Sequence, residues 1–174
     1  MPYKIKSVRQ PLDMRKRTVL PEVTTDGRTG EDFIRILRQN GYRVSDWARD
    51  ILRQPVFVTT NGVVYKPVII RGDEFSDNER TSKNIRAEAK RSGYLTPPAE
   101  LAPYIREIIS DEETRKMDLW WLVDMHKPIK DSEGTSRLSD VSRRVDGLWL
   151  HASFDDNPKG GWFREAGFVF LLPQ

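Results

Sequence analysis

The chain has 174 residues, enough for one ordinary domain with a sizeable core and a small extension but too few for two full domains. Hydrophobic residues make up 37% and charged residues 32%, which excludes an intrinsically disordered chain, and the net charge of +3 permits nucleic-acid binding without favouring it. Because cysteine is absent, disulfides, thiolate metal sites and cysteine nucleophiles are excluded.

The N-terminal segment, residues 1–28, is basic and shows no hydrophobic period. Its prolines and its cluster of Arg15, Lys16 and Arg17 predict a basic arm, partly ordered, which serves as a solubilising tail or, as the alternative, contacts phosphate. The arm lacks the apolar segment of a secretion signal, and no run of about eighteen apolar residues occurs elsewhere in the chain. The sequence therefore predicts a cytoplasmic protein with no membrane span.

Residues 29–55 predict a pair of amphipathic helices. Thr29 caps the first helix, whose apolar residues fall on one face and which ends at Gly41. Ser45 caps the second helix, which stops at the next proline. Trp47, in this second helix, is interpreted as a core residue rather than a ligand contact.

The pattern then becomes that of β-strands. Val56–Thr60 and Val63–Tyr65 flank the dipeptide Asn61-Gly62, which predicts a β-hairpin. Val68–Ile70 extends the second arm of this hairpin. Pro67 has no amide hydrogen, so the second arm should lie at a sheet edge or contain a bulge.

Three helical segments follow. Ser76 caps a polar helix that runs through Arg91, a second helix lies within Ala99–Ile109, and Ser110 caps a short last turn. The rest of the chain is β and loop, with strands predicted at Leu119–Val123, Leu148–Phe154 and Phe168–Leu172.

Few residue patterns suggest catalysis or a metal ion. Asp124 and His126 would lie on one face of a strand, as a ligand pair or an acid–histidine dyad requires, but a structural hydrogen bond is the favoured interpretation. Asp155, Asp156 and Asn157 could hold calcium, but a turn or binding loop is favoured because the spacing of a calcium loop is missing. The sequence predicts no cofactor and no metal.

Aromatic and basic residues are interleaved in the last third of the chain. The tryptophans there are interpreted as core residues: Trp120, Trp121, Trp149 and Trp162. The polar residues between them are interpreted as an interface. Along the strand predicted at Leu148–Phe154, alternation places Trp149, His151 and Ser153 on the same side.

Three motifs in this region carry a resemblance to a known family. They are Asp131-Ser132-Glu133-Gly134, Asp146-Gly147-Leu148-Trp149-Leu150-x-Ala152 and Asn157-Pro158-x-x-x-Trp162-x-Arg164-x-x-Gly167-Phe168-Val169-Phe170. Over about 119–174 the chain resembles the variable proteins of diversity-generating retroelements, which have a C-type lectin-like fold related to formylglycine-generating enzymes. In that family, mutagenic reverse transcription rewrites adenine-containing codons, and the altered side chains form the ligand-binding face.

The resemblance implies that the tail, about 135–166, is divided into frame positions and changeable positions. The implied frame is Gly147, Trp149, Leu150, Ala152, Pro158, Trp162, Arg164, Gly167 and Phe168. The implied changeable, ligand-binding positions, expected to point into solvent, are Thr135, Arg137, Asp140, Ser142, Arg144, His151, Ser153, Phe154, Asp155, Lys159, Gly160, Gly161, Phe163, Glu165 and Ala166.

The expected fold class is α+β, with a C-type lectin-like fold at 56–174 and an N-terminal helical extension at 29–55. The implied function is that of a non-enzymatic protein displaying a diversified ligand-binding surface, with an unidentified protein as the favoured target. The enzyme branch of the same fold relies on cysteines, which this chain lacks. The alternative is a nucleic-acid-binding accessory protein that uses the basic arm and exposed aromatics, and a third interpretation is an enzyme built around Asp124 and His126.

Overall fold

A computed structural model describes residues 17–155 and 161–174, and the fold is α+β. The helices are α1 (Gly30–Gln39), α2 (Asp46–Leu52), α3 (Ser82–Arg91), α4 (Leu101–Ile108) and α5 (Asp111–Lys116). The strands are β1 (Val23–Asp26), β2 (Arg43–Val44), β3 (Asn61–Tyr65), β4 (Pro67–Arg71), β5 (Trp121–Asp124), β6 (Ile129–Lys130), β7 (Ser136–Arg144), β8 (Gly147–Phe154) and β9 (Ala166–Leu171).

Seven of these strands form one mixed sheet in the order β2-β8-β7-β5-β9-β4, with β6 paired to β7. The pairs β2–β8 and β5–β9 are parallel, and the other pairs in the sheet are antiparallel. The hairpin of β7 and β8 runs from the pair Arg137 and Phe154 to the pair Arg144 and Gly147. Because β7 lies between β8 and β5, neighbouring strands flank it on both sides.

Apolar side chains are buried on both faces of this sheet. On one face, Phe33 of α1 and Ile51 of α2 share a core cluster with Leu150 of β8. On the other face, Ile85 of α3 clusters with Phe168 of β9. The predicted boundary near residue 55 therefore does not separate two cores, because α1 and α2 share one with the sheet.

Three of the helix starts predicted from capping residues are confirmed, at Thr29, Ser45 and Ser110. The predicted start of the polar helix is wrong. Ser76 and Glu79 bond to each other within a turn, and α3 begins at Ser82 after its cap, Thr81. The local pattern was present, but a single turn satisfies it without a helix.

The predicted hairpin at 56–65 is wrong. Residues 56–60 form no strand, and β3 pairs instead with β1. Thr60 donates from its amide nitrogen and its hydroxyl to the carboxylate of Glu100, at 2.9 and 2.6 Å, so a buried side chain holds this segment in place of a partner strand. The edge position predicted from Pro67 is confirmed, because β4 is the last strand of the sheet path.

The prediction of a basic arm at residues 1–28 is wrong for residues 17–28, the part of it that the structure describes. Val23–Asp26 forms β1, and Arg17 is only 7% exposed. Two carboxylates, those of Glu74 and Glu88, each accept a hydrogen bond from the Arg17 guanidinium at 2.8 Å. Arg17 is therefore committed to the fold and is not free to contact phosphate, while residues 1–16 lie outside the described part. No helix within the described ranges is long and apolar enough to cross a membrane.

Candidate functional site

A cavity of about 450 Å³ opens beside the hairpin of β7 and β8. Its floor is the sheet face that carries Trp121 and Val123 of β5 together with His151 and Ser153 of β8. The segment 161–163 forms its wall. The cavity also continues round the edge of β8, because β2 covers that edge only at the first half of the strand.

Residues predicted to bind ligand converge on this cavity. Seven of the fifteen line it: Arg137, His151, Ser153, Phe154, Gly161, Phe163 and Ala166. Four others lie outside it. Arg144 and Glu165 are exposed, and Thr135 and Asp155 are half-buried. Lys159 and Gly160 lie outside the described residues.

Four of the predicted positions do not point into solvent, contrary to the expectation. They are at most 3% exposed: Arg137, Asp140, Ser142 and Ala166. The reason is their place in the sheet, since β7 and β9 each have a neighbouring strand on both sides and packed layers over their faces. Strand alternation predicted which side chains share a face, but it could not show that both faces are covered.

Gly161 is a further correction. Its φ is +85°, and a Cβ placed there would lie 2.4 Å from the carbonyl oxygen of Arg80. That distance is a clash with backbone, so this position cannot carry a varied side chain. Gly161 lines the cavity as a fixed part of its wall.

Arg137 closes one side of the cavity with its charge already paired. Its Nε donates to Asp131 Oδ2 at 2.9 Å, and both side chains are buried. The guanidinium carbon lies 3.9 Å from the ring centre of Trp47 and 4.4 Å from that of Phe154. These two rings hold the cation by cation–π contact, so the group is a fixed element of the wall.

Aromatic rings line the other side of the cavity. Trp121 and Phe163 are stacked, with ring centroids 5.0 Å apart at an interplanar angle of 19°. Trp162 donates from its indole nitrogen to Ser82 Oγ at 2.9 Å and from its amide to Arg80 O at 2.8 Å. The wall segment is therefore anchored to α3 and to the loop before it.

Sequence reasoning had assigned three of the lining tryptophans to the core: Trp47, Trp121 and Trp162. Each is half-buried, with one part packed against a core cluster and another part facing the cavity. One apolar lining residue, Val123, was not singled out, because its pattern is that of any buried strand, and another, Ala152, was assigned to the implied frame. The available signal was the concentration of indole rings, which are amphipathic and common at binding surfaces.

Asp140 lies directly beneath the cavity floor. Its strand partners are Val123 and His151, both of which line the cavity, and residues paired across strands share a face. Its Oδ2 accepts a hydrogen bond from Ser153 Oγ at 2.6 Å, whereas its Oδ1 is buried and has no hydrogen-bond partner among the described residues. Burial raises the pKa of Asp140 to about 6, and the hydrogen bond from Ser153 opposes that rise.

His151 is neutral at physiological pH. Burial lowers its pKa to about 4, and the nearby Arg144 and Arg137 add to that effect. Its Nδ1 lies 2.9 Å from Ser45 Oγ, while the hydroxyl of Ser153 donates to Asp140 instead. These described side chains therefore do not form the serine–histidine–aspartate relay of a hydrolase.

Asp124 and His126 have structural hydrogen bonds, as the favoured interpretation predicted. The ring nitrogens of His126 both bond to backbone, with Nδ1 2.7 Å from Lys127 O and Nε2 accepting from Ser139 N at 3.0 Å. Asp124 Oδ2 accepts from Ala102 N at 3.1 Å, in the first turn of α4. Burial lowers the pKa of His126 to about 4 and raises that of Asp124 well above its ordinary range.

The described residues contain no group of three or more histidine, aspartate or glutamate side chains placed to hold a metal ion. Asp155, the described member of the possible calcium cluster, forms an ion pair with Arg86 at 2.8 Å. Asp156 and Asn157 lie outside the described residues.

Comparisons of the chain with models of protein families, with curated proteins and with solved structures give no match.

Proposed function

We propose that this chain is a non-enzymatic ligand-binding protein whose site is the aromatic cavity beside β8, carried on a C-type lectin-like scaffold and diversified at its accessible positions. The observation that carries the proposal is the convergence of seven predicted ligand-binding positions on one cavity. They come from β7, β8, β9 and the loop before β9, and only the tertiary fold brings them together. A concave, mostly apolar site with several aromatic rings and a few polar groups is the usual form of a ligand pocket.

The resemblance implies the order hairpin, two helices and then several strands. Helices α3 and α4 followed by β5 to β9 support that order, with α5 in addition, whereas the expected hairpin at 56–65 does not form. Gly167 behaves as a frame position, because a Cβ there would lie 2.8 Å from a Leu119 methyl carbon and 2.9 Å from methyl carbons of Ile69 and Leu122. Any larger residue there would therefore force three core side chains to shift.

The geometry also narrows the set of positions that can vary. Buried or backbone-restricted positions join the frame: Arg137, Asp140, Ser142, Gly161 and Ala166. The side chains that reach the cavity or its rim are half-buried or exposed, with Phe154 53% and Phe163 63% exposed. Substitution at such positions changes the binding surface at little cost in core packing.

Two matched libraries test this division. The first randomises four accessible positions, Ser153, Phe154, Phe163 and Glu165, and the control library randomises four frame positions, Arg137, Asp140, Gly161 and Ala166. We expect most members of the first to melt within about 5 °C of the parent and most members of the second to unfold. Displayed against a panel of purified proteins, the first library should yield binders whose selected residues differ from target to target.

Equal loss of folding in the two libraries would contradict the division into frame and accessible positions. Folded members of the first library that never bind any member of the panel would contradict the binding function. The diversification itself is tested at the gene locus, where we expect a nearby near-copy of the 3′ coding region that differs mainly at adenines, beside a reverse transcriptase gene.

A further inference from the structure

The charges around the cavity leave one buried carboxylate without a cationic partner. Arg137 is neutralised by Asp131 at 2.9 Å. Asp140 is fully buried, its one described hydrogen bond comes from the neutral hydroxyl of Ser153, and it forms no ion pair with a described residue. Arg144, which is exposed, acts on Asp140 only as a more distant charge. A buried carboxylate in this position creates a negative potential on the cavity side of the sheet.

The walls of the cavity are also suited to a positive charge. Aromatic faces attract cations, and the sandwich of Arg137 between Trp47 and Phe154 shows that this protein already uses such contacts. No described arginine or lysine lies over the rings of Trp121, Trp162 and Phe163. Trp121 and Phe163 stack on each other, which covers one face of each ring, but all three rings line the cavity and Phe163 is 63% exposed.

We propose, on the basis of the binding function proposed above, that this cavity binds an organic ammonium group. Its alkyl or methyl substituents contact the rings of Trp121, Trp162 and Phe163, and its charge faces Asp140 through the floor. The cavity of about 450 Å³ holds a trimethylammonium-sized group together with part of the chain that carries it.

Ser153 adds a polar contact for an ammonium that carries a hydrogen. Its hydroxyl hydrogen is donated to Asp140 at 2.6 Å, so the oxygen lone pairs are left to accept from a ligand N–H. A carboxylate or phosphate ligand would face repulsion from Asp140 instead. A neutral apolar ligand would gain the same ring contacts without the electrostatic attraction.

The experiment compares choline with the neutral alcohol in which carbon replaces its ammonium nitrogen. Both probes have nearly the same shape, so their difference in affinity reports the charge. Binding is followed by tryptophan fluorescence and by the indole N–H signals in NMR spectra. We expect choline to bind about tenfold more tightly than the alcohol, because a desolvated cation over aromatic rings gains that much.

Asp140→Asn should reduce this preference for choline to less than about twofold, because it removes the charge and keeps the shape. The matched control is Asp124→Asn, since Asp124 is also fully buried, also has an Oδ1 without a described partner, and lies against α4 rather than beneath the cavity. The control should keep the preference. Phe163→Ala removes an exposed ring and should weaken choline binding severalfold without unfolding the protein.

Equal affinity for choline and the alcohol would overturn the ammonium proposal. It would still support a binding cavity, but one that does not select for positive charge. Loss of the preference in both aspartate variants would also overturn it, because the effect would then be nonspecific. If neither probe binds, the ammonium proposal is wrong, and the two libraries still decide the binding function independently.

Discussion

Two pairs of aspartate and histidine lie in or next to the same sheet, and they differ in how the chain brings them together. Asp124 and His126 are neighbours along the sequence, whereas Asp140 and His151 meet only because β7 pairs with β8. Burial raises the pKa of both aspartates and lowers the pKa of both histidines to about 4. Their partners differ: the first pair bonds to backbone groups, and the second bonds to serine hydroxyls.

The comparison shows that a buried polar group is not by itself a binding site. Asp124 and Asp140 each keep one oxygen without a partner among the described residues. Asp124 lies against the start of α4, where it accepts a hydrogen bond from the buried amide of Ala102, which has no partner within the helix. Only Asp140 lies beneath a cavity. Its position relative to open space, rather than its unsatisfied oxygen, is what makes it a candidate for ligand recognition.

The largest expected difference between the pairs is in stability. Asp124→Ala removes the acceptor for the Ala102 amide at a buried helix start, so we expect the free energy of unfolding to fall by about 3 kcal/mol. At pH 4, where Asp140 is protonated, Asp140→Ala should cost about 1 kcal/mol, because it releases only the Ser153 hydroxyl next to the cavity. Urea unfolding of both variants measures the difference. Equal losses would show that the two carboxylates have the same role.

The pH dependence of stability separates the ionisation of Asp140 from its packing. Its pKa is about 6 in the folded protein, against an ordinary aspartate value of 3.8, so its contribution to stability is complete below about pH 3.8 and is lost as the pH rises through 6. Asp140→Asn cannot ionise. We expect this variant to be more stable than the parent above about pH 6, by on the order of 3 kcal/mol, and to lose most of that advantage near pH 4.

Urea unfolding of both proteins at a series of pH values measures this difference, and the buried histidines cancel because they are common to both. Asp146→Asn is the control. Asp146 accepts from the Trp149 indole, which lowers its pKa, so its replacement should not raise stability at neutral pH. A gain from Asp140→Asn that is the same at every pH would contradict the raised pKa of Asp140.

Replacing the two histidines should also reduce stability by different amounts, with the larger loss again in the first pair. The difference should be smaller than that between the two aspartates. His126 is 1% exposed and both of its ring nitrogens are bonded to backbone, so His126→Ala should reduce the free energy of unfolding by about 2 kcal/mol. His151 is half-buried at the cavity, and His151→Ala should cost less than about 1 kcal/mol. Thermal unfolding followed by circular dichroism distinguishes these values. A larger loss at His151 would assign it to the core.

The smallest effect is expected at exposed predicted positions outside the cavity. Arg144→Ser and Glu165→Ser should each change the free energy of unfolding by less than about 0.5 kcal/mol, since both side chains are exposed. They should also leave choline binding nearly unchanged, because neither residue lines the cavity. A strong effect of either substitution on binding would extend the site beyond the cavity.

Helix starts could be predicted from the sequence, because capping depends on residues that are close together in the chain. Caps at Thr29, Ser45 and Ser110 were predicted because a capping side chain bonds to an amide three residues away. Strand pairing is not local. The dipeptide Asn61-Gly62 indicated a hairpin, yet β3 found its partner in β1, about forty residues earlier in the chain by its register of Tyr65 with Val23.

The same distinction holds for the candidate site. Alternation predicted that Trp149, His151 and Ser153 lie on one side of a strand. The family resemblance implied a ligand-binding role for Phe154 and Phe163. The tertiary structure alone decided that both faces of β7 are covered, which buried Arg137 and Asp140, and that the edge of β8 stays open beyond β2. Burial depends on which elements pack over a strand. Those elements are distant in sequence, so no local pattern encodes the depth of the site.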